Sequence, residues 1–285
     1  MAGTSMKDIR LRIKSVSSTQ QITKAMQLVA SSKLRKARMR MENSRPYLEI
    51  AQDAVKDIAA HNTGVKSPYL NGRTVKKRCL IVVAGDRGLA GSYNANVFRL
   101  FKEIEGEKPY CVLPVGRRTR EFFVNRGAEV LENAPERAEG LELPECRKIA
   151  EELIRRFDAE EFDEIEMIYT GFVSILTQRA QRRTLLPVTQ TEPDAHARQM
   201  LFEPNPEELL PIVLPDYIAG LLYAAVCDSV ASEQAARRVA MDSATKNAEK
   251  MIEDLNLRYN RARQASITQE ITEIVAGSER ESEEN

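Results

Sequence analysis

The chain has 285 residues with 42 basic and 42 acidic side chains, so its formal net charge is zero and gives no bulk signal for nucleic acid. No apolar run approaches the ~18 residues needed to span a bilayer, and the start carries neither an apolar signal region nor an Arg/Ser-rich leader. Four widely spaced cysteines form no Cys-x-x-Cys pair, so we expect a soluble protein of a reducing compartment without a zinc site.

The first predicted element is a long helix that contains no glycine or proline from Thr4 to Arg45. Pro46 is expected to kink it before it resumes over Tyr47–Ala60. From Lys7 to Arg45 there are 11 lysines and arginines and only two acidic residues. Such a basic helix is typical of a partner with acidic loops, or simply of a solvated face, and both interpretations stay open.

The middle of the chain alternates between strand and helix patterns. The apolar run Arg78–Ala84, followed by a glycine-rich turn, is typical of a buried parallel strand. Further strands are predicted at Tyr110–Val115, Glu164–Tyr169 and Gln181–Val188, with Ala128–Leu131 as a short candidate, and helices at Asn94–Ile104, Arg117–Asn125 and Glu145–Phe157. This order predicts a small, mostly parallel sheet with helices on its faces.

The glycine-rich segment Ala84–Asn94 lies where phosphate-binding loops occur, between a strand and a helix. It lacks both the Gly-Lys-Ser/Thr ending of a P-loop and the Gly-x-Gly-x-x-Gly fingerprint. Its glycines are better explained by a tight turn, by close packing or by contact with a partner. No Gly-x-Ser-x-Gly or His-Glu-x-x-His motif is present either, so we predict no catalytic, cofactor-binding or metal-binding residues.

The last predicted element is a helix that starts near Pro215 or Asp216, after a Pro-rich connector over Gln190–Pro215. From Leu221 to Ala276, 56 residues contain no glycine or proline. At about 1.5 Å per residue this run alone would be roughly 80 Å long. Neither terminal helix could bury its apolar stripe alone. The predicted fold is therefore α/β, with a long antiparallel coiled coil of the terminal helices (1–63 and 210–285) and an inserted Rossmann-like domain with its connector (64–209).

Spacings of four and three residues select the positions at which the two helices would meet. The first helix offers Ile9, Ile13, Val16, Gln20, Thr23, Gln27, Ala30, Leu34, Ala37 and Met41. The last helix offers Leu222, Ala225, Ser229, Ser232, Ala236, Val239, Ser243, Lys246 and Lys250, and then a second stripe of Ala240, Ala244, Asn247, Met251 and Leu255. The small and polar residues predict a thin coiled coil that is weaker than an Ile/Leu zipper.

The lengths of the two helices predict an overhang at the end of the chain. The last helix is longer, so roughly its final ten residues should extend past the N-terminus. Ile267, Ile271 and Ile274 lie on one face of this overhang. An apolar stripe without a partner in its own chain indicates a foreign hydrophobic surface, so we predict a docking site there.

Six segments carry specific sequence motifs: Lys7–Val16, Thr19–Ala37, the loop Asp86–Asn94, Ala231–Met241, Ala244–Ala248 and Tyr259–Gly277. In this order and across the whole chain, they resemble the gamma subunit family of ATP synthases. The resemblance implies the central rotor of a rotary F-type ATP synthase, with ATP chemistry in other subunits. The partners it implies are the alpha and beta subunits of the catalytic hexamer, the epsilon subunit and the membrane c-ring, without nucleic acid and without direct membrane insertion.

The same resemblance suggests roles for individual residues. Arg263 and Gln264 match positions that touch the catch loop of the catalytic subunit. Lys24 and Met26 match the part of the first helix that faces an acidic lever loop. Tyr217 matches the region facing epsilon and the ring. A basic helix beside an acidic loop gives an attraction that varies with angle, so rotation would change which catalytic site is favoured.

The connector Gln190–Pro215 contains no cysteine, so it lacks the redox-regulatory dithiol segment of chloroplast members. A bacterial protein on the cytoplasmic side of the cell membrane is therefore expected. Two rival interpretations remain at this point. One is a dinucleotide-dependent enzyme built on the central domain, and the other is a free coiled-coil scaffold or nucleic-acid binder that uses the basic first helix.

Overall fold

The computed structural model describes residues 6–61, 67–188 and 206–283. The described elements are α1 (Met6–His61), α2 (Pro68–Asn71), β1 (Arg78–Val83), α3 (Tyr93–Ile104), β2 (Tyr110–Val115), α4 (Arg117–Asn125), α5 (Leu143–Asp158), β3 (Glu164–Phe172), β4 (Gln178–Leu186) and α6 (Pro206–Glu283). Packing divides the chain into two compact units. We call residues 1–29 with 240–285 the helix-pair unit, and residues 30–239 the α/β unit.

The α/β unit contains a four-stranded sheet in the order β2-β1-β3-β4. β1 pairs in parallel with β2 and β3, while β4 joins β3 in antiparallel fashion. All four main strands and three helices predicted for this region are confirmed. The short candidate over Ala128–Leu131 is only an isolated bridge between Val112 and Val130, so its prediction as a strand was wrong.

The burial of β1 on both faces of the sheet explains why its sequence is a continuous apolar run. Cys79, Ile81 and Val83 belong to a core cluster that also contains residues of α1, α5 and α6. Leu80 and Val82 point to the opposite face, where they pack in a second cluster with residues of α3 and α4. Because successive side chains of a strand alternate between faces, a strand covered on both sides must be apolar throughout.

The C-terminal helix begins earlier than predicted. α6 starts at Pro206 and continues through Pro211 and Pro215, whereas the sequence had indicated a start near Pro215. A proline inside a helix removes a backbone donor and disfavours the helix locally. Here Leu210 and Leu214 are buried in the core of the α/β unit, and this packing overrides the local preference. Most of the predicted connector lies outside the described residues, and the predicted boundary at 209/210 falls inside α6.

α6 also corrects the expectation about membrane-spanning segments. It contains a window with a mean hydropathy of 1.8 that is long and apolar enough, by length and composition, to cross a membrane. The stretch Leu209–Val226 has Asp216 as its only charged residue. Within the chain, 56% of the window is buried, and Ile218 and Leu222 lie in the core of the α/β unit. This apolar stretch is therefore accounted for by core packing.

In the helix-pair unit, α1 and α6 run antiparallel. Three side-chain contacts show this, because residue numbers rise on one helix as they fall on the other. Gln20 donates to Glu249 over 3.0 Å, the hydroxyls of Thr23 and Thr245 lie 2.8 Å apart, and Gln27 donates to Asp242 over 3.0 Å. The predicted antiparallel pairing is confirmed, and its contacts are polar, as the sequence indicated.

The predicted contact positions hold for α1 but fail for part of α6. Every α1 position in the predicted series is buried or half-buried. In α6, the helix-pair unit buries Met241, Thr245, Ala248 and Leu255, of which only Leu255 was predicted. The first predicted stripe is wrong in this unit, because Ser243, Lys246 and Lys250 are exposed. The second is correct in part, because Ala240 and Ala244 are half-buried and Leu255 is buried, whereas Asn247 and Met251 are exposed. The competing stripes each mix small and polar residues with a few large apolar ones, so hydrophobicity alone could not select between them.

Candidate partner-contact surfaces

The glycine-rich loop of the α/β unit lies at the carboxyl end of β1. The chain continues from β1 to β2 on one side and later returns to β3 on the other, so a switch in strand order occurs at β1. In open α/β sheets, nucleotides bind in the crevice formed at such a point. If the chain were a dinucleotide-dependent enzyme, its nucleotide would have to bind in this crevice.

α6 occupies that crevice. The Ser229 hydroxyl accepts a hydrogen bond from the Thr170 backbone N–H over 3.2 Å, and the Ser232 hydroxyl donates to the Thr170 carbonyl over 3.3 Å. Glu233 lies so close to Gly85 that a Cβ at this glycine would be 2.9 Å from the Glu233 carboxyl carbon. The packing interpretation of the loop is thus confirmed at Gly85, beside which the Glu233 carboxylate already lies.

A buried ion pair joins α6 to the same loop. Glu233 and Arg237 form a contact of 2.5 Å, and both side chains are less than 10% exposed. Arg237 also donates to the Gly88 carbonyl over 3.2 Å. Burial raises the pKa of Glu233, and the Arg237 guanidinium opposes that rise. The sequence did not reveal this pair, because acidic and basic residues four apart are common on solvated helix faces.

Asp86 connects the loop to α1 through a short turn. One carboxylate oxygen accepts from the Ala138 backbone N–H over 2.9 Å, and the other accepts from the Glu139 N–H over 3.0 Å. The Glu139 side chain in turn pairs with Lys33 of α1 over 2.7 Å. Within the α/β unit, Asp86 thus connects the glycine loop to α1 through Glu139 and Lys33, and the Glu233–Arg237 pair connects the loop to α6.

Leu89 stands out at the tip of the loop. Its φ of 61° is in the left-handed region, which disfavours a bulky side chain, and 66% of the residue is exposed. Such a conformation persists only where the surrounding structure enforces it. The loop therefore presents an apolar side chain outward from a rigidly held base.

The predicted contact residues of the helix-pair unit lie largely on its surface. Lys24, Arg263 and Gln264 are exposed, and Met26 is half-buried. They are thus accessible in the isolated chain, but their assignment to particular loops of other subunits stays a prediction.

The end of α6 extends past the described start of α1. Gln20 pairs with Glu249, so a pairing continued back along α1 to Met6 reaches Arg263 on α6. The residues after Arg263 therefore lie beyond the described start of α1. Ile267, Ile271 and Ile274 are 47%, 57% and 72% exposed.

Tyr217 has a different environment from the other predicted contact residues. It is only 8% exposed and belongs to the main core cluster of the α/β unit. Burial raises the pKa of its phenol, while Arg183 acts in the opposite direction. The prediction that its region faces other subunits stays untested, but the side chain itself packs inside this chain.

The described part of the chain offers no metal centre. No group of three or more His, Cys, Asp or Glu side chains within it is placed to hold a metal ion. Its four cysteines are free and buried. Cys79 and Cys111 lie at paired positions on β1 and β2, and burial in the core accounts for their surroundings.

Comparisons with known proteins identify relatives along almost the full length. A family model described as ATP synthase matches residues 5–280. The ATP synthase gamma chain of Ruminococcus albus is 46% identical over 281 residues, covering 96% of this chain and 97% of that protein. The sodium ion specific ATP synthase gamma chain of Acetobacterium woodii is 41% identical over 295 residues, covering 96% and 98%.

Solved structures give the same fold at lower identity. The rotor of the Euglena gracilis mitochondrial ATP synthase matches with a TM-score of 0.66 at 16% identity, over 92% of this chain and 98% of that one. The central stalk and c-ring structure from Tetrahymena thermophila matches with a TM-score of 0.59 at 23% identity, over 78% and 99%. At these identities the matches support the overall fold described above.

Proposed function

Because this chain belongs to the ATP synthase gamma chain family, we propose that its helix pair turns inside the hexamer of alpha and beta subunits. The chain is the central-stalk subunit of a rotary F-type ATP synthase and has no catalytic site of its own. In this role it couples ion flow through the membrane ring to ATP synthesis or hydrolysis in the hexamer. The α/β unit, in the same proposal, contacts the epsilon subunit and the c-ring.

The observation that carries this proposal is the exposed apolar end of α6. Three isoleucines at spacings of four and three residues are about half exposed or more, beyond the described start of α1. Such a stripe is unfavourable in water, and a hydrophobic surface on a surrounding protein would cover it. A hexamer that encloses the end of the helix meets this requirement.

The polar helix pair supports free rotation. Thr23, Thr245 and the glutamines of α1 contribute hydrogen bonds within the chain, so the two helices are joined in this region by polar contacts of their own. The basic surface of α1 would attract an acidic loop with a strength that depends on rotor angle. Lys24 and Met26 are the residues proposed to face that loop. Differential contacts of this kind shift the relative affinities of the catalytic sites.

The chain belongs to a membrane-associated complex, and we place it peripherally on the cytoplasmic side of a bacterial membrane. The apolar window of α6 agrees with a peripheral position, because more than half of it is buried within the fold.

A double substitution tests the proposed catch contact. Arg263→Ala with Gln264→Ala should lower coupled ATP turnover of the assembled complex about tenfold, while the chain folds and assembles. Both side chains are exposed, so their removal leaves the core of this chain intact. The measurement is ATP-driven ion pumping and ATP hydrolysis of reconstituted complexes.

Arg258→Ala is the matched control, since this exposed arginine already pairs with Asp254 of its own helix over 2.8 Å. It should change turnover less than twofold. Turnover equal to that of the unsubstituted complex in the double variant would rule out the catch role of Arg263 and Gln264.

A further inference from the structure

A rotor must transmit torque between its α/β unit and the helix that turns in the hexamer. The hydrophobic effect is non-directional, so apolar burial by itself does not identify which atoms define the rotational angle of α6. Hydrogen bonds and ion pairs have defined directions and weaken steeply when misaligned. The elements that fix angle should therefore be sought among the buried polar contacts of α6.

We propose that Glu233 and Arg237, together with the glycine loop 84–91, form an angular clamp that holds α6 at a fixed rotation against the sheet. This inference rests on the rotor function proposed above. Arg237 acts as a positioning residue, since it binds Glu233 on its own helix and the Gly88 carbonyl on the loop. Rotation of α6 about its axis would break the second contact first.

The close approach at Gly85 makes the clamp tight. A Cβ at residue 85 would lie 2.9 Å from the Glu233 carboxyl carbon and 2.9 Å from the Asn94 side-chain oxygen, so a larger residue would displace one or both of these side chains. The Asn94 side chain fixes the same segment by accepting from the Gly85 N–H over 2.9 Å and donating to the Arg87 carbonyl over 3.2 Å. The loop is thus contacted by Glu233 of α6 and by Asn94 of α3.

Two further sets of contacts secure the clamp within the α/β unit. Ser229 and Ser232, on the turn of α6 before Glu233, hydrogen-bond the backbone of Thr170 in β3. Asp86 holds the turn at Ala138 and Glu139, whose side chain reaches Lys33 of α1. The loop, the sheet and both helices therefore share one network of directional contacts.

A buried ion pair is a poor device for stability alone. Its desolvation cost often exceeds the attraction gained, and apolar residues of similar size are frequently as stable. Its advantage is geometric, because the planar guanidinium donates in fixed directions. This is the property that an angular clamp requires and that a leucine at residue 237 would lack.

The test measures torsional stiffness of the rotor in the assembled complex. The hexamer is immobilised, a bead is attached to the α/β unit, and the angular fluctuation of the bead is recorded while the complex pauses between steps. Arg237→Met should lower the stiffness at least twofold, while the hydrolysis rate without load stays within about twofold. Val226→Ala is the control. It removes a buried apolar contact of the same helix, and it should leave stiffness unchanged.

Two gentler variants keep the proposal testable if Arg237→Met fails to assemble. Arg237→Lys retains the charge but cannot hold both partners in the same geometry, and Gly85→Ala forces Glu233 away from the loop. Each should lower stiffness with the charge balance unchanged. Unchanged stiffness in an assembled variant would overturn the clamp. A complex with the unsubstituted chain that assembles but does not rotate would instead overturn the rotor function.

Discussion

Asp228 of α6 contributes a pH dependence of its own to the stability of the chain. Burial raises its pKa from 3.8 to about 6, with Arg45 opposing the rise. Between these values the folded chain holds a proton that the unfolded chain has lost. Stability therefore falls as the pH rises from about 4 to 6, and the full cost of the buried charge is present above pH 6.

At the residue scale we accordingly expect Asp228→Asn to stabilise the chain at pH 8 by about 1 to 2 kcal/mol, a figure reduced for partial exposure. Asparagine has the shape of the protonated acid and carries no charge to desolvate. Near pH 4 the advantage should disappear, since aspartate is then neutral in the folded state. Unfolding of the purified chain in urea at both pH values measures the difference. An equal gain at pH 4 and pH 8 would contradict the assignment to ionisation.

Individual residues differ in how far the sequence could predict their surroundings. Ile9, Leu34 and Met41 are apolar at regular spacing, and their burial follows from helix geometry alone. Gly85 was expected to allow close packing, but the neighbour it accommodates was not predictable. That neighbour, Glu233, is 148 residues further along the chain. No local pattern distinguishes a charge that will be buried by such a contact from one that will stay in water.

At the element scale, the polar contact between α1 and α6 has a definite energetic signature. Thr23 donates to the Gln20 carbonyl and Thr245 to the Met241 carbonyl, and the two hydroxyls also meet each other. Since each hydroxyl has one hydrogen to donate, the three contacts compete for two protons. The two hydroxyls are therefore coupled. Removing the hydroxyl on one helix changes the free energy that the hydroxyl on the other helix contributes to stability.

We expect Thr23→Val and Thr245→Val each to cost about 1 kcal/mol, because each removes the hydrogen bond between the two helices and leaves the remaining hydroxyl with only the carbonyl of its own helix. The double variant should cost less than the two single costs combined, by about 0.5 to 1 kcal/mol, since both hydroxyls are then removed together. Denaturant unfolding of the four chains gives the coupling. Strictly additive costs would show that the two hydroxyls do not interact across the helix pair.

The exposed end of α6 gives a second prediction at this scale. Ile267→Asp with Ile271→Asp should weaken incorporation of the chain into the complex at least tenfold, because two charges would be buried against an apolar surface. The control is Thr268→Asp with Thr272→Asp, which adds equal charge at the same spacing beside the stripe. Native mass spectrometry of the assembled complex measures incorporation. Equal incorporation of both variants would mean that the isoleucines are not a buried contact.

For the whole molecule, the filled crevice predicts the absence of nucleotide binding by the isolated chain. ATP or NAD at millimolar concentration should leave the melting temperature unchanged within about 1 °C, because a ligand stabilises only a folded state that it can bind. α6 already occupies the space beside Gly85 through Glu233. A clear rise in melting temperature with either nucleotide would restore the dinucleotide-enzyme interpretation. The matching control is a known dinucleotide-binding domain measured under the same conditions.

The sequence by itself determined the strands of the α/β unit, the helical character of both ends and their antiparallel pairing. These features depend on residue periodicity and on turn residues, which act over a few positions. Its family motifs also identified the protein. Only the tertiary structure decided that α6 begins at Pro206, that Thr245 and not Ser243 faces α1, and that Glu233 with Arg237 lies buried against the glycine loop. Each of these depends on contacts between distant segments, where the free energy of packing exceeds the weak local preference.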